Sequence, residues 1–364
     1  MWDALAGGDD PFLCHAFLRT LETSGSVGGQ SGWQSAPILL DDGVRVRAAA
    51  PAYIKYHSQG EYVFDQGWAD AWECAGGQYY PKLQLAVPFT PVPGRRLLAD
   101  NGDDARALIA AAEGLVAEHG LSSAHATFVD AGQTDLFAAS GWLLRRDSQF
   151  HWFNPGYRDF DDFLGCLSSA KRKNIRKERA AAQRAVTIGQ FTGGAIRPEH
   201  WDIIWAAYQD TGARKWGRPY LTREAFDQWG ALMADRILCV IAYQHERPIA
   251  AALNFIGGDA LYGRYWGATR DIPMLHFELC YYQAMDFAIA RGLARVEAGA
   301  QGPHKLARGY VPVATWSAHH IPHPAFRRAV ADFLARERPA AAAEAAWLAG
   351  HAPYRQGSDQ AEHG

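Results

Sequence analysis

Between Leu261 and His320 the chain groups side chains able to handle protons and anions. Lys305 and Arg308 stand three apart in the turn GPHKLARGY, between Gly302 and Gly309, which allow a close backbone approach. A cation held at such a turn steadies negative charge developing on a carbonyl or phosphoryl oxygen. Glu278, Glu297 and His304 are the neighbouring groups able to take a proton from an attacking nucleophile. Tyr262, Arg264 and Trp266, with His276 and Tyr281, form a candidate substrate-binding set, because an arginine between two aromatics is suited to a polar ligand.

These residues need elements to hold them. Leu261 to Gly267 alternates, with Tyr262, Arg264 and Trp266 on one face, and reads as a strand. From Leu275 to Arg291 the apolar spacing is helical, and Gly292 supplies the C-terminal stop. His276 and Glu278 then fall in the first helical turn. Ala294 to Ala300 is a second strand, Gly302-Pro303 breaks it, and Val313 to His320 alternates as a third. Strand, helix, strand, polar turn, strand is an α/β unit, whose ligands sit where strands end.

Anion-binding candidates lie elsewhere. In KRKNIRKER, six of the nine residues from Lys171 to Arg179 are basic. On a helix Arg172, Arg176 and Arg179 share a face, and like charges so close favour a neutralising anion. Arg95 and Arg96 follow the rigid loop PFTPVPG and offer two more cations. Together Arg172, Arg176, Arg95 and Arg96 are the donor-phosphate candidates.

Other chemistries find less support. His319 and His320 point to opposite faces of a strand, and neither they nor His304 and His323 have Cys or carboxylate neighbours at ligand spacing, so no metal site is expected. No serine occupies a G-x-S-x-G elbow, so a hydrolase triad at Ser317 is not expected. The glycine-rich stretch Ser24–Gly32 follows no strand and reads as a connection or a mobile substrate loop. Five scattered cysteines without a C-x-x-C pair fit reduced thiols in a cytoplasmic protein. No signal-peptide block opens the sequence, and no apolar run is long enough to span a membrane.

With 364 residues, the chain exceeds the usual domain size of about 100–150 residues. A net charge of −3 excludes a generic nucleic-acid coat, so an anionic partner must be met locally. The first half reads as hairpin, strand, helix Asp103–Glu118, strand Ala124–Val129, short helix and strand Trp142–Trp152; the second repeats this order from Arg236. The second half opens with a helix from Asp159 to about Ala185, then Pro198–Tyr208 and the loop TGARKWGRPYL, and closes with Phe326–Arg336. The expected division is 1–153, 154–337, and an Ala-rich segment with a polar, disordered tail at 338–364.

The segments PAYIKYHSQGEYVFDQGWA, YYPKLQLAVPFTPVPGRRLL, QFHWFN, KRKNIRKER, ALYGRYWG, HFELCYYQ and GAQGPHKLARGY resemble the FemAB-like branch of the GNAT acyltransferase superfamily. The resemblance spans residues 12 to 336. It implies an α/β (α+β) fold of two tandem GNAT-like domains, each a mixed twisted sheet flanked by helices, and acyl transfer to an amine. Fem ligases use a lysine in the late turn of the second domain, and the similar position here is Lys305. No Q/R-x-x-G-x-G/A loop follows Tyr262–Gly267, and no long coiled-coil insertion is present. The implied co-substrate is acyl-CoA, acyl-carrier protein or aminoacyl-tRNA rather than a tightly bound cofactor, with a small amine as acceptor. The alternative is a non-catalytic module that binds tRNA or an anionic metabolite through KRKNIRKER. The acyl group and the oligomeric state are not legible.

Overall fold

The structure, a computed structural model, describes residues 1–215, 219–299 and 303–355. The first half carries strands β1 (Trp33–Ser35), β2 (Ile38–Asp41), β3 (Val46–Ala50), β4 (Ala52–Lys55), β5 (Lys82–Leu85), β6 (Leu98–Ala99), β7 (Ala124–Val129) and β8 (Leu143–Phe153). The second carries β9 (Thr187–Thr192), β10 (Ile237–Gln244), β11 (Arg247–Ile256), β12 (Ala260–Ala268), β13 (Arg295–Glu297) and β14 (Val311–His320). Two compact units result: Met1–Ser148 with Ala314–Glu344, and Gln149–Val313 with the chain from Ala345. Sequence order places residues 314–337 with the second half, but by contact they lie in the first. The cause is strand pairing, since β14 sets Ala318 opposite Ala126 and His319 opposite His125 of β7.

In the first unit β4 pairs antiparallel with β1 and β5, β5 pairs parallel with β7, and β14 lies antiparallel on the other side of β7. The helix Gly102–Glu118 joins the parallel pair, its Asn101 side chain accepting from the Asp104 N–H as an N-cap. Its Leu108, Ile109, Ala112 and Val116 pack among Ala48, Leu83, Ala124 and Trp142. The extended run from Val46 to Lys55 divides at Pro51: β3 pairs with β2 and β6 in a small second sheet, while β4 joins the main one. Proline has no N–H to give a ladder, so the strand changes sheets there.

In the second unit β9, β10, β11 and β12 form an antiparallel run, β12 pairs parallel with β13, and β13 pairs antiparallel with the end of β8. The helix expected over 159–185 is two, Phe160–Cys166 and Ser169–Ala185, because Leu167 is extended. The helix from Pro198 continues to Lys215, past the expected end at Tyr208, and residues 216–218 of that loop lie outside the described residues. It lies so close on β12 that a Cβ at Gly267 would stand 2.0 Å from the Ala207 carbonyl oxygen. The last helix runs from Pro324 to Gly350, beyond the expected Arg336, and the polar tail at 356–364 lies outside the described residues. Among the described residues no helix is long and apolar enough to cross a membrane.

Candidate active site

β12 and β13 run parallel only from Ala260–Tyr262 against Arg295–Glu297. β13 stops at Glu297 while β12 continues to Ala268, so the two strands open toward their shared C-terminal end. A bulge accompanies the opening: Leu253 faces Tyr265 but Asn254 faces Gly263, leaving Arg264 as the extra residue. Strict alternation therefore ends at Arg264. Its guanidinium lies 5.5 Å from the centroid of the Tyr265 ring, while Tyr265 packs on Tyr208 at 5.2 Å. Tyr262 instead accepts a hydrogen bond from Arg295, and Trp266 packs against His276 at 5.1 Å. The three do not form the single face that alternation predicts.

At the end of β13 three ionisable groups meet. Glu297 is the cross-strand partner of His151 on β8, so both side chains leave the same face, with His151 Nε2 3.5 Å from Glu297 Oε2. Arg295, two residues earlier on that strand, donates to Glu297 Oε1 at 2.9 Å. The carboxylate's other oxygen has no hydrogen bond among the described residues. Burial pushes His151 below the usual histidine range, Glu297 pulls it back, and the charges of Arg295 and Lys305 push it down again. His151 is thus a neutral imidazole able to accept a proton, with its Nε2 3.4 Å from Gln149 Oε1 and the Glu297 carboxylate beside it. Lys305 is 1% exposed and donates to the Gly299 carbonyl at 2.7 Å.

The helix after β12 brings an aromatic set to the same turn. Its residues Glu278–Tyr282 form a π turn, which widens the helix where Tyr281 and Tyr282 turn inward. The Tyr281 hydroxyl and His304 Nε2 are 2.8 Å apart, and the ring of His276 lies 5.4 Å from Tyr281 and 6.1 Å from His304. Burial pushes the Tyr281 hydroxyl up, so it stays protonated and bridges as a neutral group. His304, His276, Tyr281 and Trp266 are thus gathered, with Lys305 the next residue after His304.

Other candidates are engaged in holding the fold. Glu278 is fully buried and its Oε1 accepts from Arg179 at 3.1 Å and from Gln183 and Gln283 at 2.8 Å, which anchors the basic helix, while its Oε2 has no hydrogen bond among the described residues. Arg308 grips Glu178 with two hydrogen bonds at 2.8 and 3.0 Å, and its guanidinium lies 3.4 Å over Phe277. Its charge is balanced by that carboxylate. Arg176 is exposed and pairs with Asp161 at 2.8 Å; Arg172 is half-buried on the same helix. Arg95 and Arg96 lie in the first unit, donating to backbone carbonyls: Leu5 and Ala99 for Arg95; Thr127, Arg95 and Val92 for Arg96. Burial lowers Arg96 to about 10, and its position suits a fold-holding pin rather than a phosphate site. Gly309 does permit a close approach, but to the Phe163 ring; Gly302 lies outside the described residues.

Sequence reasoning missed His151, which sits in QFHWF, read only as strand. Its partnership with Glu297 is fixed by the register of β8 against β13, which spacing along the chain does not carry. Among the described residues no cluster of His, Cys, Asp and Glu is arranged to hold a metal ion.

The class is an α/β protein of two tandem GNAT-like units, each a mixed sheet flanked by helices. FemX is similar with a TM-score of 0.57 at 13% identity, covering 88% of this chain and 95% of FemX. The C-terminal domain of a putative lysylphosphatidylglycerol synthetase from Agrobacterium fabrum gives 0.56 at 10% identity, covering 91% and 93%. L-PGS from Bacillus licheniformis gives 0.53 at 11%, covering 87% and 94%. No curated protein matches the chain. Residues 1–356 match the FemAB-like family of peptidoglycan biosynthesis/recognition, and the chain belongs to that family.

Proposed function

We propose that the chain is an acyl- or aminoacyltransferase acting in its second unit, where β12 and β13 open, and that an amine is the acceptor. The observation that carries this reading is the meeting of Glu297, His151 and Lys305 at the end of β13. An amine attacking an activated carbonyl must lose a proton, and neutral His151 accepts it while Glu297 stabilises the imidazolium that forms. In this reading the buried ammonium of Lys305, which donates to the Gly299 carbonyl, faces the developing oxyanion. His304, Tyr281, His276 and Trp266 supply walls and hydrogen bonds for the acceptor.

The donor is an acyl-CoA, an acyl-carrier protein or an aminoacyl-tRNA. Each brings phosphates, and Lys173, Arg176 and Lys177 are exposed on the basic helix to meet them. Family membership supports a peptidoglycan-related acceptor, and a structural neighbour named as a lysylphosphatidylglycerol synthetase domain supports an aminoacyl group among the donors. The test is incubation of the purified chain with each donor class and a panel of amines, read by mass spectrometry of the acceptor. Acyl transfer from one donor class is the expected result. The exposed cations also favour a second reading, a binding module without chemistry: salt-sensitive tRNA binding with no transfer to any amine is the outcome that supports it.

A further inference from the structure

Ser-Ala-His occurs twice, at Ser123–His125 on β7 and at Ser317–His319 on β14. In a strand, residues two apart share a face, so each serine lies beside its own histidine. Antiparallel pairing then sets His319 directly opposite His125. The result is a buried four-member chain within the first unit. Ser317 Oγ is 2.9 Å from His319 Nε2, His319 Nδ1 is 2.7 Å from His125 Nδ1, and His125 Nε2 is 2.8 Å from Ser123 Oγ. All four are at most 5% exposed. Trp68 packs edge-on against the His319 ring at 4.9 Å, and the Tyr79 hydroxyl, which donates to Asp65, lies 3.4 Å from His125 Nε2.

One end of this chain meets the surface. A shallow hollow, with enclosed room of about 10 Å³ for a single water and otherwise open to solvent, is lined by Ser317, Thr315, Val63, Phe128, Trp316, Arg145 and Asp147. Beside it β7 bulges: Ala318 faces Ala126 but Trp316 faces Val129, so β7 carries one residue more than β14. The bulge holds Phe128 at φ +52°, a left-handed conformation that costs a bulky side chain energy and that clusters at functional sites. Arg145 is bonded through two nitrogens to Glu337, so its charge is balanced there, and the exposed carboxylate of Asp147 lines the same hollow.

We propose that Ser317, with His319 as its base and His125 orienting that base, is an acyl-accepting nucleophile for short-chain thioesters or activated esters. With the shared proton on His319 Nδ1, His319 donates to His125 and its Nε2 accepts from the Ser317 hydroxyl, while His125 donates from Nε2 to Ser123. Ser317 Oγ bonds to the acyl carbon, its proton passes to His319 Nε2, and the carbon–sulfur or carbon–oxygen bond to the leaving group breaks. His319 then gives that proton to the departing thiolate or alkoxide. Water attacks the acyl-serine by the reverse path, releasing the carboxylic acid and restoring Ser317. Burial lowers His319 to about 3 and holds His125 well below its usual value, so both rest neutral, and so low a value makes His319 a weak base. The orienting group is a neutral imidazole, not a carboxylate, so acylation is slow beside that of a carboxylate-supported triad. The site belongs to the first unit and does not draw on the transfer site of the second.

The test treats the full-length chain with p-nitrophenyl acetate and with phenylmethylsulfonyl fluoride, and maps adducts by peptide mass spectrometry. The expected result is an adduct on Ser317 of the folded wild-type chain, formed at least tenfold more slowly in His319→Asn or His125→Gln, whichever keeps the wild-type circular dichroism. An unmodified Ser317 in the wild-type chain would overturn the proposal. A modification rate indifferent to loss of either histidine overturns it as well, since the hydroxyl is then merely reachable.

Discussion

Lys305 and Arg308 stand three residues apart in one turn. Arg308 is held by Glu178 through two hydrogen bonds, whereas the hydrogen bond shown for Lys305 goes to an uncharged carbonyl. The turn that carries Lys305 was legible because cation, turn and strand end are local in sequence. The engagement of Arg308 was not, because Glu178 lies far back along the chain and no spacing rule links the two. Arg308→Ala leaves the partly buried Glu178 carboxylate with the Tyr282 hydroxyl but no cation, and a loss of about 1–3 kcal/mol in unfolding free energy is expected by urea denaturation. Arg96→Ala removes three hydrogen bonds to carbonyls and is expected to cost about 2–4 kcal/mol in the same measurement, without altering affinity for tRNA or CoA. A weakened affinity with unchanged stability would restore Arg96 to the anion site.

At the scale of elements, alternation and helical spacing located β12, the helix after it and β14, but single-residue irregularities decided which faces they present. One extra residue at Arg264 turns Tyr265 onto Tyr208, and one at Phe128 lies beside Ser317. An insertion of that size leaves the composition of a strand unchanged, so periodicity carries no sign of it. The Ser-Ala-His repeat, by contrast, stood in the sequence and acquired meaning only when β7 and β14 were seen as neighbours. Gly267 belongs to this scale too. Alanine there would collide with the Ala207 backbone and push the helix Pro198–Lys215 off β12. Gly267→Ala is therefore expected to lower the melting temperature by roughly 5 °C or more, read by calorimetry. A melting temperature within a degree of wild type would show that the helix shifts freely.

For the whole molecule, two similar α/β halves were legible from the order of their elements. The return of residues 314–344 to the first unit was not, because strand order in a sheet is set by pairing rather than by sequence. The buried histidines also give a pH signature. His319 is surrounded by Trp68, His125 and Ser317, with the charges of Arg145, Asp65 and Lys82 acting on it. Burial is the largest effect and lowers its folded value to about 3, below the 6.5 of a free histidine. Between those values the unfolded chain holds the extra proton, so stability is full above pH 6.5 and falls as pH drops toward 3. The penalty from His319 alone is about 2 kcal/mol at pH 5. Urea denaturation at pH 7 and pH 5 checks it: the loss on acidification should be smaller in His319→Gln than in wild type, and equal losses would contradict a buried neutral histidine.

The central claim is that transfer occurs where β12 and β13 part, with Lys305 supporting the charge that forms there. It is tested most directly by steady-state kinetics of wild type and Lys305→Ala with the donor and amine that give transfer, at matched folded fraction by circular dichroism. The account predicts that kcat falls by roughly 100-fold or more while the donor KM stays within about threefold, since the interaction strengthens as the oxyanion forms. An unchanged kcat in the folded variant would contradict it and remove Lys305 from the reaction.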